Sequence, residues 1–196
     1  QGLANYVKKV VTDEPIKAAI AYDSRNFSPE FAQIAADIFS ANGITAYVYE
    51  ELRPTPQLSF TVRELACHIG LVITASHNPR EYNGYKVYWN DGSQVVAPHD
   101  KNIVQEVNDI TNVSQIKFKG VKKRLKTIGE RLDKKYLKAV KSVAVAPRTI
   151  KKQSDLKIVF SSIHGTGITM VPAALKQLGF ENVHTVEAQD KPDGNF

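Results

Sequence analysis

The sequence predicts an α/β fold, in which a mixed, mainly parallel sheet flanked by helices is followed by the first part of a second α/β domain. Over residues 16–73, short apolar runs alternate with stretches of helical periodicity. This alternation is typical of parallel strands joined by crossover helices that cover both faces of a sheet. An Asn83-Gly84 turn introduces one antiparallel strand. Residues 156–186 then repeat the order strand, loop, helix, strand.

The first half of the chain yields the clearest elements. Residues 1–11 have the pattern of the last part of an amphipathic helix. The predicted strands are residues 16–22, 44–49 and 69–73, and the predicted helices are residues 28–41 and 55–67. The second of these strands follows an Asn42-Gly43 helix stop, and Pro29 occupies a first helical turn.

The second half of the chain is less regular. Residues 85–89 and 94–96 are predicted to form a hairpin, residues 98–110 and 130–143 are predicted helices, and residues 111–126 are lysine-rich without a clear pattern. In the second unit we predict strands at 156–160 and 182–186 and a helix at 171–178. We therefore expect one domain over residues 1–146, a linker over 147–154, and the N-terminal part of a second domain over 155–196.

Composition narrows the class of protein. Hydrophobic residues make up 42% and charged residues 23% of the chain, as in ordinary globular proteins. No apolar run approaches the roughly 18 residues of a membrane span, and the first residues do not resemble a signal peptide. We therefore expect no membrane partner and a cytoplasmic location. The single cysteine, Cys67, excludes an internal disulfide, and we expect it to be a buried apolar residue.

The net charge of +6 is unevenly distributed along the chain. Residues 117–152 hold 14 basic and 2 acidic residues, whereas the rest of the chain has more acidic than basic residues. Few aromatic residues lie among these lysines, so the pattern favours a solvated surface, and we expect no nucleic-acid partner. A polyanion- or nucleic-acid-binding module on residues 117–152 is the alternative function.

The most informative stretch is 71–90. An apolar strand ends at Thr74, and Pro79 prevents the ladder from continuing, so Ser76 and His77 should project from the end of the strand. Arg25 follows another predicted strand. Because the carboxyl ends of parallel strands meet at one edge of a sheet, we expect these two loops to converge, with Lys86 at the same edge.

These side chains allow several kinds of chemistry. A serine becomes a nucleophile only when a base or a cationic site activates it, and His77, Arg25 and Lys86 are of the types that phosphoryl transfer requires. A hydrolase triad is disfavoured because Ser76 lacks the glycines of a G-x-S-x-G elbow. From the residues alone, a polar cap at the end of the strand remains an alternative, as does a non-catalytic scaffold.

Two motifs in this stretch indicate a family. T-A-S-H-N-P at 74–79, followed by Y-N-G-Y-K at 82–86, resembles the phosphoserine loop of the α-D-phosphohexomutase superfamily, the phosphoglucomutases and phosphomannomutases. Y-D-S-R at 22–25 resembles the arginine loop of that family's first domain. H-G-T-G at 164–167, with K-P-D-G-N-F at 191–196, resembles the start of its second domain. The branch that includes phosphopentomutases is the most similar.

The resemblance implies a phosphoserine mechanism. Ser76 would carry a phosphoryl group, pass it to a sugar phosphate, and recover the other phosphoryl group from the resulting bisphosphorylated sugar. The reaction would interconvert 1-phospho and 6-phospho sugars, or 5-phospho pentoses. His77 and Lys86 would assist proton transfer and charge stabilisation, and either is a candidate for the base. Arg25 would bind the phosphoryl group, and Asn78 would shape the loop.

The resemblance also implies Mg²⁺, held by the phosphate on Ser76 and by an aspartate-rich loop that this sequence does not contain. Asp190 and Asp193 do not form that motif, and we interpret them as loop residues. A sugar bisphosphate would be the activator and a sugar phosphate the substrate. The chain is expected to be truncated at both ends and inactive alone. Neither the sugar nor the oligomeric state is indicated.

Overall fold

The computed structural model describes residues 1–12 and 15–196. Its helices and strands, in chain order, are α1 Gly2–Val10, β1 Lys17–Tyr22, α2 Ser28–Ala41, β2 Thr45–Tyr49, α3 Thr55–Glu64, β3 Ile69–Ile73, β4 Tyr85–Trp89, α4 His99–Asn108, β5 Leu125–Ile128, α5 Glu130–Ser142, α6 Pro147–Lys152, β6 Ile158–Phe160, α7 Gly167–Leu178 and β7 Val183–Thr185. This order confirms the predicted alternation of strands and helices.

The larger sheet has five strands in the order β4-β3-β1-β2-β5. All neighbouring pairs are parallel except β3 with β4, so the prediction of a mixed, mainly parallel sheet is confirmed. Tyr22 at the end of β1 lies opposite Ile73 at the end of β3, which in turn lies opposite Tyr85 at the start of β4. The ends of β1 and β3 and the start of β4, each of which adjoins a polar loop, therefore meet at one edge of the sheet.

Helices cover both faces of this sheet because its central strands are apolar on both sides. One face packs against α1, α2 and α4, through side chains such as Tyr6, Phe39 and Ile103. The other face packs against α3 and α5, through Leu58 and Leu132 among others. Cys67 lies in this second core with 1% of its surface exposed, which confirms the expected buried position.

Three predictions need correction. Residues 94–96 do not form a strand, since only one bridge joins Gln94 to Tyr88. The lysine-rich stretch 111–126 ends in a strand that we did not predict, β5, whose four residues all pair with β2, although Lys126 and Thr127 are exposed. Residues 147–152 of the expected linker form helix α6, which begins at Pro147. The domain limits themselves stay a prediction.

The second unit consists of β6, α7 and β7, with the two strands parallel, as predicted from their order. Helix α7 begins at Gly167, earlier than residue 171, and ends at Leu178, where Gly179 caps it in a left-handed conformation with φ of 113°. The last residues return to the first unit, where the Asn26 side chain donates a hydrogen bond to Asn195. No helix within residues 1–12 and 15–196 is long and apolar enough to cross a membrane.

Candidate active site

The loops that follow β1 and β3 begin as direct neighbours. The backbone N–H of Asp23 donates a hydrogen bond of 3.1 Å to the carbonyl oxygen of Ile73, which extends the pairing of the two strands by one step. The expected convergence of these loops at the carboxyl edge of the sheet is therefore confirmed. We call residues 74–84, which join β3 to β4, the Ser76 loop.

Ser76 occupies an exposed turn in this loop. Its φ of 58° lies in the left-handed region, which a residue with a side chain seldom adopts. The Ser76 N–H donates a hydrogen bond of 2.9 Å to Thr74 Oγ1, and the N–H of Asn78 bonds to the carbonyl of Ala75 at 3.1 Å. Such a backbone conformation costs about 1–3 kcal/mol and is typical of residues at functional sites. The turn holds the Ser76 hydroxyl away from the body of the sheet.

His77 provides a titratable group next to that hydroxyl. Its Nδ1 lies 3.3 Å from Ser76 Oγ, and both side chains are exposed. At this distance the imidazole can accept or donate a proton after a small adjustment, because catalytic hydrogen bonds are often long before substrate binds. The structure thus brings together two of the three predicted catalytic residues.

Arg25 has a different environment from the one we expected. Its side chain is buried and donates hydrogen bonds from Nη1 to the carbonyls of Pro79 (2.9 Å) and Tyr82 (2.8 Å). Nη2 donates to the carbonyls of Ser76 (3.1 Å) and Asn78 (2.6 Å). The resemblance implies that Arg25 binds the phosphoryl group, whereas in the structure its guanidinium N–H groups donate hydrogen bonds to backbone carbonyls of the Ser76 loop.

Asn78 contributes to the loop through its backbone, and its side chain is exposed. A second asparagine, which the sequence analysis did not single out, also supports the loop. Asn83 Nδ2 donates hydrogen bonds to the carbonyl of Asn26 (3.1 Å) and to Ser28 Oγ (2.9 Å). The sequence predicts a turn at Asn83-Gly84 but gives the Asn83 side chain no role, because a sequence does not show what an asparagine side chain contacts.

Lys86 lies in β4, opposite Val72, one position inside the end of the strand. Its side chain is half-buried, and it is not among the residues that line the cavity around Ser76. Within residues 1–12 and 15–196, no carboxylate forms an ion pair with it. The structure therefore places Lys86 near the expected edge but does not join it to Ser76 and His77.

Ser76 lines a polar cavity of about 390 Å³. Its lining residues are Asp23, Ser24, Arg25, Thr55, Thr74, Ser76, His77, Ile163, Gly165, Thr166 and Phe196. Four of these come from the second unit, which the sequence analysis did not place beside Ser76. Gly165 and Thr166 follow β6, which belongs to the separate two-stranded sheet, so the rule for the carboxyl ends of strands in one sheet does not place them beside Ser76. His164 itself contacts the C-terminal segment of the second unit, with Nδ1 2.9 Å from the carbonyl oxygen of Lys191.

The residues around the cavity do not make up a magnesium site. Asp23 is the carboxylate in the lining, but its Oδ1 accepts hydrogen bonds from the Arg25 N–H (3.0 Å) and from Ser28 Oγ (2.7 Å). Its Oδ2 lies 3.3 Å from Arg25 Nε. In the part of the chain that the structure describes, no three His, Cys, Asp or Glu side chains are grouped for a metal. A phosphorylated Ser76 would supply oxygen ligands, and the others would have to come from elsewhere.

A second cavity, of about 380 Å³, lies against α2, on the face of the sheet that α1, α2 and α4 cover. Phe31, Ile34 and Ile38 line it together with the start of α1, and its lining residues include Tyr85 but no His, Lys, Arg, Asp or Glu. The described lining therefore offers no cationic side chain to bind a phosphate. The cavity around Ser76 is therefore the candidate active site.

The fold and this edge define an α/β protein of three layers that presents a serine and a histidine where two parallel strands end. Residues 1–114 match the family model for phosphoglucomutase/phosphomannomutase, alpha/beta/alpha domain I, and residues 134–196 match the model for domain II. The chain therefore belongs to the phosphoglucomutase/phosphomannomutase family, which confirms the resemblance of its motifs.

Individual relatives agree with this assignment. A phosphoglucomutase of Staphylococcus haemolyticus (strain JCSC1435) is 38% identical over 200 residues, which cover 100% of this chain and 35% of that protein. A phosphoglucomutase of Staphylococcus aureus (strain N315) is 38% identical over 199 residues, with the same shares covered. The chain thus spans about a third of the length of these curated relatives.

Solved structures show the same fold. A phosphoglucomutase/phosphomannomutase family protein of Burkholderia thailandensis has a TM-score of 0.72 at 21% identity and covers 99% of this chain and 39% of its own. Parafusin, a phosphoglucomutase of Paramecium in its open form, has a TM-score of 0.74 at 18% identity and covers 100% of this chain and 40% of its own. These likenesses concern the fold alone.

Proposed function

We propose that the protein is an intramolecular phosphotransferase that interconverts sugar phosphates through a phosphoserine at Ser76. The observation that carries the proposal is the position of the Ser76 hydroxyl, in an exposed left-handed turn 3.3 Å from His77 Nδ1 and at the mouth of a polar cavity. This arrangement lies on a fold whose family is that of phosphoglucomutases and phosphomannomutases.

In the proposed reaction, a hydroxyl of the sugar phosphate attacks the phosphorus on Ser76. A bond forms between the sugar oxygen and phosphorus, the bond to Ser76 Oγ breaks, and the proton of the attacking hydroxyl passes to Ser76 Oγ. The bisphosphorylated sugar then turns over and returns its other phosphoryl group to Ser76. The negative charge on the transferred phosphoryl group has to be stabilised by hydrogen-bond donors and cations held in fixed positions. Catalysis therefore depends mainly on the positions of these groups and of the reacting atoms.

The contacts support different roles for the candidate residues. His77 is proposed as the group that moves the proton, because it lies beside Ser76 Oγ. Lys86 lies on the neighbouring strand β4 and does not line the cavity. It is therefore proposed to stabilise the charge of the phosphoryl group from a distance and not through direct contact with Ser76. The backbone of Asn78 is proposed to help shape the loop by accepting a hydrogen bond from Arg25. A sugar bisphosphate is proposed as activator, and a cytoplasmic location remains part of the proposal.

The function is tested with the whole natural protein, glucose 1-phosphate as substrate and glucose 1,6-bisphosphate as activator. Phosphorus NMR should show conversion to glucose 6-phosphate when Mg²⁺ is supplied, and parallel reactions with mannose 1-phosphate and ribose 1-phosphate identify the sugar. Ser76→Ala should abolish conversion and leave the circular dichroism spectrum unchanged, whereas Ser114→Ala, at an exposed site on a different loop, should match the wild type. Full activity of Ser76→Ala would overturn the proposal.

The alternative function predicts different behaviour. A polyanion site on residues 117–152 would bind heparin or DNA with an affinity that falls steeply with salt, and Ser76→Ala would not affect that binding. The basic side chains are distributed over the segment before β5, over β5, and over α5 and α6, and Lys134 and Lys135 form ion pairs with Glu130 and Glu64. None of the described residues 117–152 lines the cavity around Ser76, so the two functions can be tested separately.

A further inference from the structure

We propose that Arg25 is the positioning residue of the Ser76 loop, which holds the serine in its reactive conformation, and that it is not a phosphate ligand. The guanidinium group has five N–H donors in a rigid fork. Four hydrogen bonds from Nη1 and Nη2 end on backbone carbonyls of residues 76–82, and Nε faces Asp23 Oδ2 at 3.3 Å. The donors that would bind a phosphate bidentately are thus already used.

The loop needs such a partner because it has little regular structure of its own. Within residues 75–82, the backbone forms two hydrogen bonds, from Asn78 N–H to the carbonyl of Ala75 (3.1 Å) and from Tyr82 N–H to the carbonyl of Pro79 (3.0 Å). Backbone carbonyl groups that have no partner in a helix or sheet need other donors. Arg25 supplies them at four points, one of which is the carbonyl of Ser76 itself.

Arg25 is in turn held rigidly. Only 3% of its surface is exposed, and Asp23 accepts a hydrogen bond from its backbone N–H at 3.0 Å and faces its side chain as an anion. On the other side, the ring of Phe196 lies 5.2 Å from the guanidinium carbon. A buried charge that is paired and fully hydrogen-bonded can transmit the fixed position of the strand end to the loop.

A lysine at this position would keep the charge but not the contacts. The ammonium group is a compact point charge with three donors, and it cannot reach four carbonyls in a planar fork. Arg25→Lys therefore separates the two roles of the residue. A phosphate-binding arginine is partly replaced by lysine, whereas a positioning arginine is not. The consequence for catalysis rests on the proposed function, but the effect on the loop does not.

The test uses the whole natural protein with Arg25→Lys and Arg25→Met, and with Arg63→Met, on an exposed part of α3, as the matched control. Hydrogen exchange followed by mass spectrometry reports on the amides of the Ser76 loop. In both Arg25 variants we expect these amides to exchange at least about tenfold faster, with the strands of the sheet unchanged. Arg63→Met should match the wild type.

Kinetics provide the second readout. For both Arg25 variants we expect kcat with glucose 1-phosphate to fall about 100-fold, because a small displacement of the reacting group has an effect of this size. KM should stay within about threefold, since binding of the ground state does not depend on a positioning residue. Wild-type protection of the loop in Arg25→Lys, or a raised KM with unchanged kcat, would overturn the proposal.

Two further outcomes are informative. If neither Arg25 variant folds, Asp23→Asn leaves the arginine in place and removes its anionic partner, and we expect a smaller acceleration of exchange in the same amides. Unchanged exchange in that folded variant would count against the proposal. If the wild type shows no mutase activity, the proposed function fails, while hydrogen exchange still decides whether Arg25 holds the loop.

Discussion

At the scale of the residue, Ser76 combines an unfavourable backbone conformation with an exposed side chain. The left-handed φ of 58° is maintained by the hydrogen bond from its N–H to Thr74 Oγ1 and by the one that its carbonyl accepts from Arg25. Strain of this kind persists only where surrounding contacts over-determine it. The sequence predicted the proximity of Ser76 and Arg25, because both follow neighbouring parallel strands. It did not reveal the target of the Arg25 donors, which depends on the path of the loop.

Cys67 carries the first prediction. Burial raises the pKa of its thiol to about 12, although the charge of Lys17 acts in the opposite direction. In the native protein at pH 8 the thiol should therefore be unreactive. Iodoacetamide labelling followed by peptide mapping should modify Cys67 only after unfolding in guanidinium chloride. Rapid modification of the native protein would contradict the buried position.

The same thiol affects stability at alkaline pH. An unfolded thiol begins to ionise near its ordinary pKa of 9.0, whereas the folded thiol stays neutral up to its raised pKa. Because the raised pKa favours the protonated form in the folded state, its contribution to stability is complete below pH 9 and declines above it. Cys67→Ala should remove this part of the alkaline decline, as denaturant titrations at several pH values would show.

At the scale of the element, α5 is joined to the sheet edge by a buried ion pair. Arg53 Nε and Nη2 donate to the two carboxylate oxygens of Asp133 at 2.9 Å and 2.8 Å. Gln57 on α3 donates to the same carboxylate, and Arg53 Nη1 donates to the carbonyl of Leu52. The arginine, 5% exposed, thereby connects the segment after β2 with α3 and α5.

Removal of one partner of this pair should be costly. Arg53→Met leaves the Asp133 carboxylate half-buried without its cation, so we expect the free energy of unfolding to fall by about 3 kcal/mol. The control Lys134→Met breaks the exposed pair with Glu130 and should cost less than about 1 kcal/mol. Urea titrations measure both values. Similar losses in the two variants would show that the Arg53 contact is unimportant.

Elements with a clear apolar pattern were predictable, and those whose pairing depends on distant partners were not. Strands β1 and β3 are buried along almost their whole length, so their apolar runs identified them. Strand β5 has two exposed residues between two half-buried ones and is an edge strand that pairs with β2 in the larger sheet, so its sequence resembles a polar loop. The prediction of a strand at residues 94–96 was wrong because this segment pairs with β4 through a single isolated bridge, between Gln94 and Tyr88.

At the scale of the whole molecule, the two units meet at the Ser76 loop. Arg80 Nη1 donates a hydrogen bond of 3.1 Å to the carbonyl of Asn195, and Asn26 Nδ2 donates one of 3.0 Å to its side chain. Phe196 packs on Arg25. From the sequence, K-P-D-G-N-F is assigned to the second domain but is not placed beside Ser76, because contacts between units leave no local periodicity.

Gly194 makes this approach possible. A Cβ atom at this position would lie 2.6 Å from the backbone nitrogen of Asn26, which is closer than any stable contact. Gly194→Ala should therefore displace residues 194–196 and speed hydrogen exchange in the segment around Asn26. The control Lys191→Ala, at an exposed side chain of the same loop, should have no effect. Unchanged exchange in Gly194→Ala would show that this contact between the units is not maintained in solution.

The central claim is that Ser76 carries the phosphoryl group, and it can be measured directly. After incubation of the whole natural protein with glucose 1,6-bisphosphate and Mg²⁺, intact-mass analysis should show the addition of one phosphoryl group. Peptide mapping should locate that group on Ser76, and Ser76→Ala should remain unmodified. A folded wild-type protein that acquires no phosphate, or acquires it on a residue other than Ser76, would contradict the account.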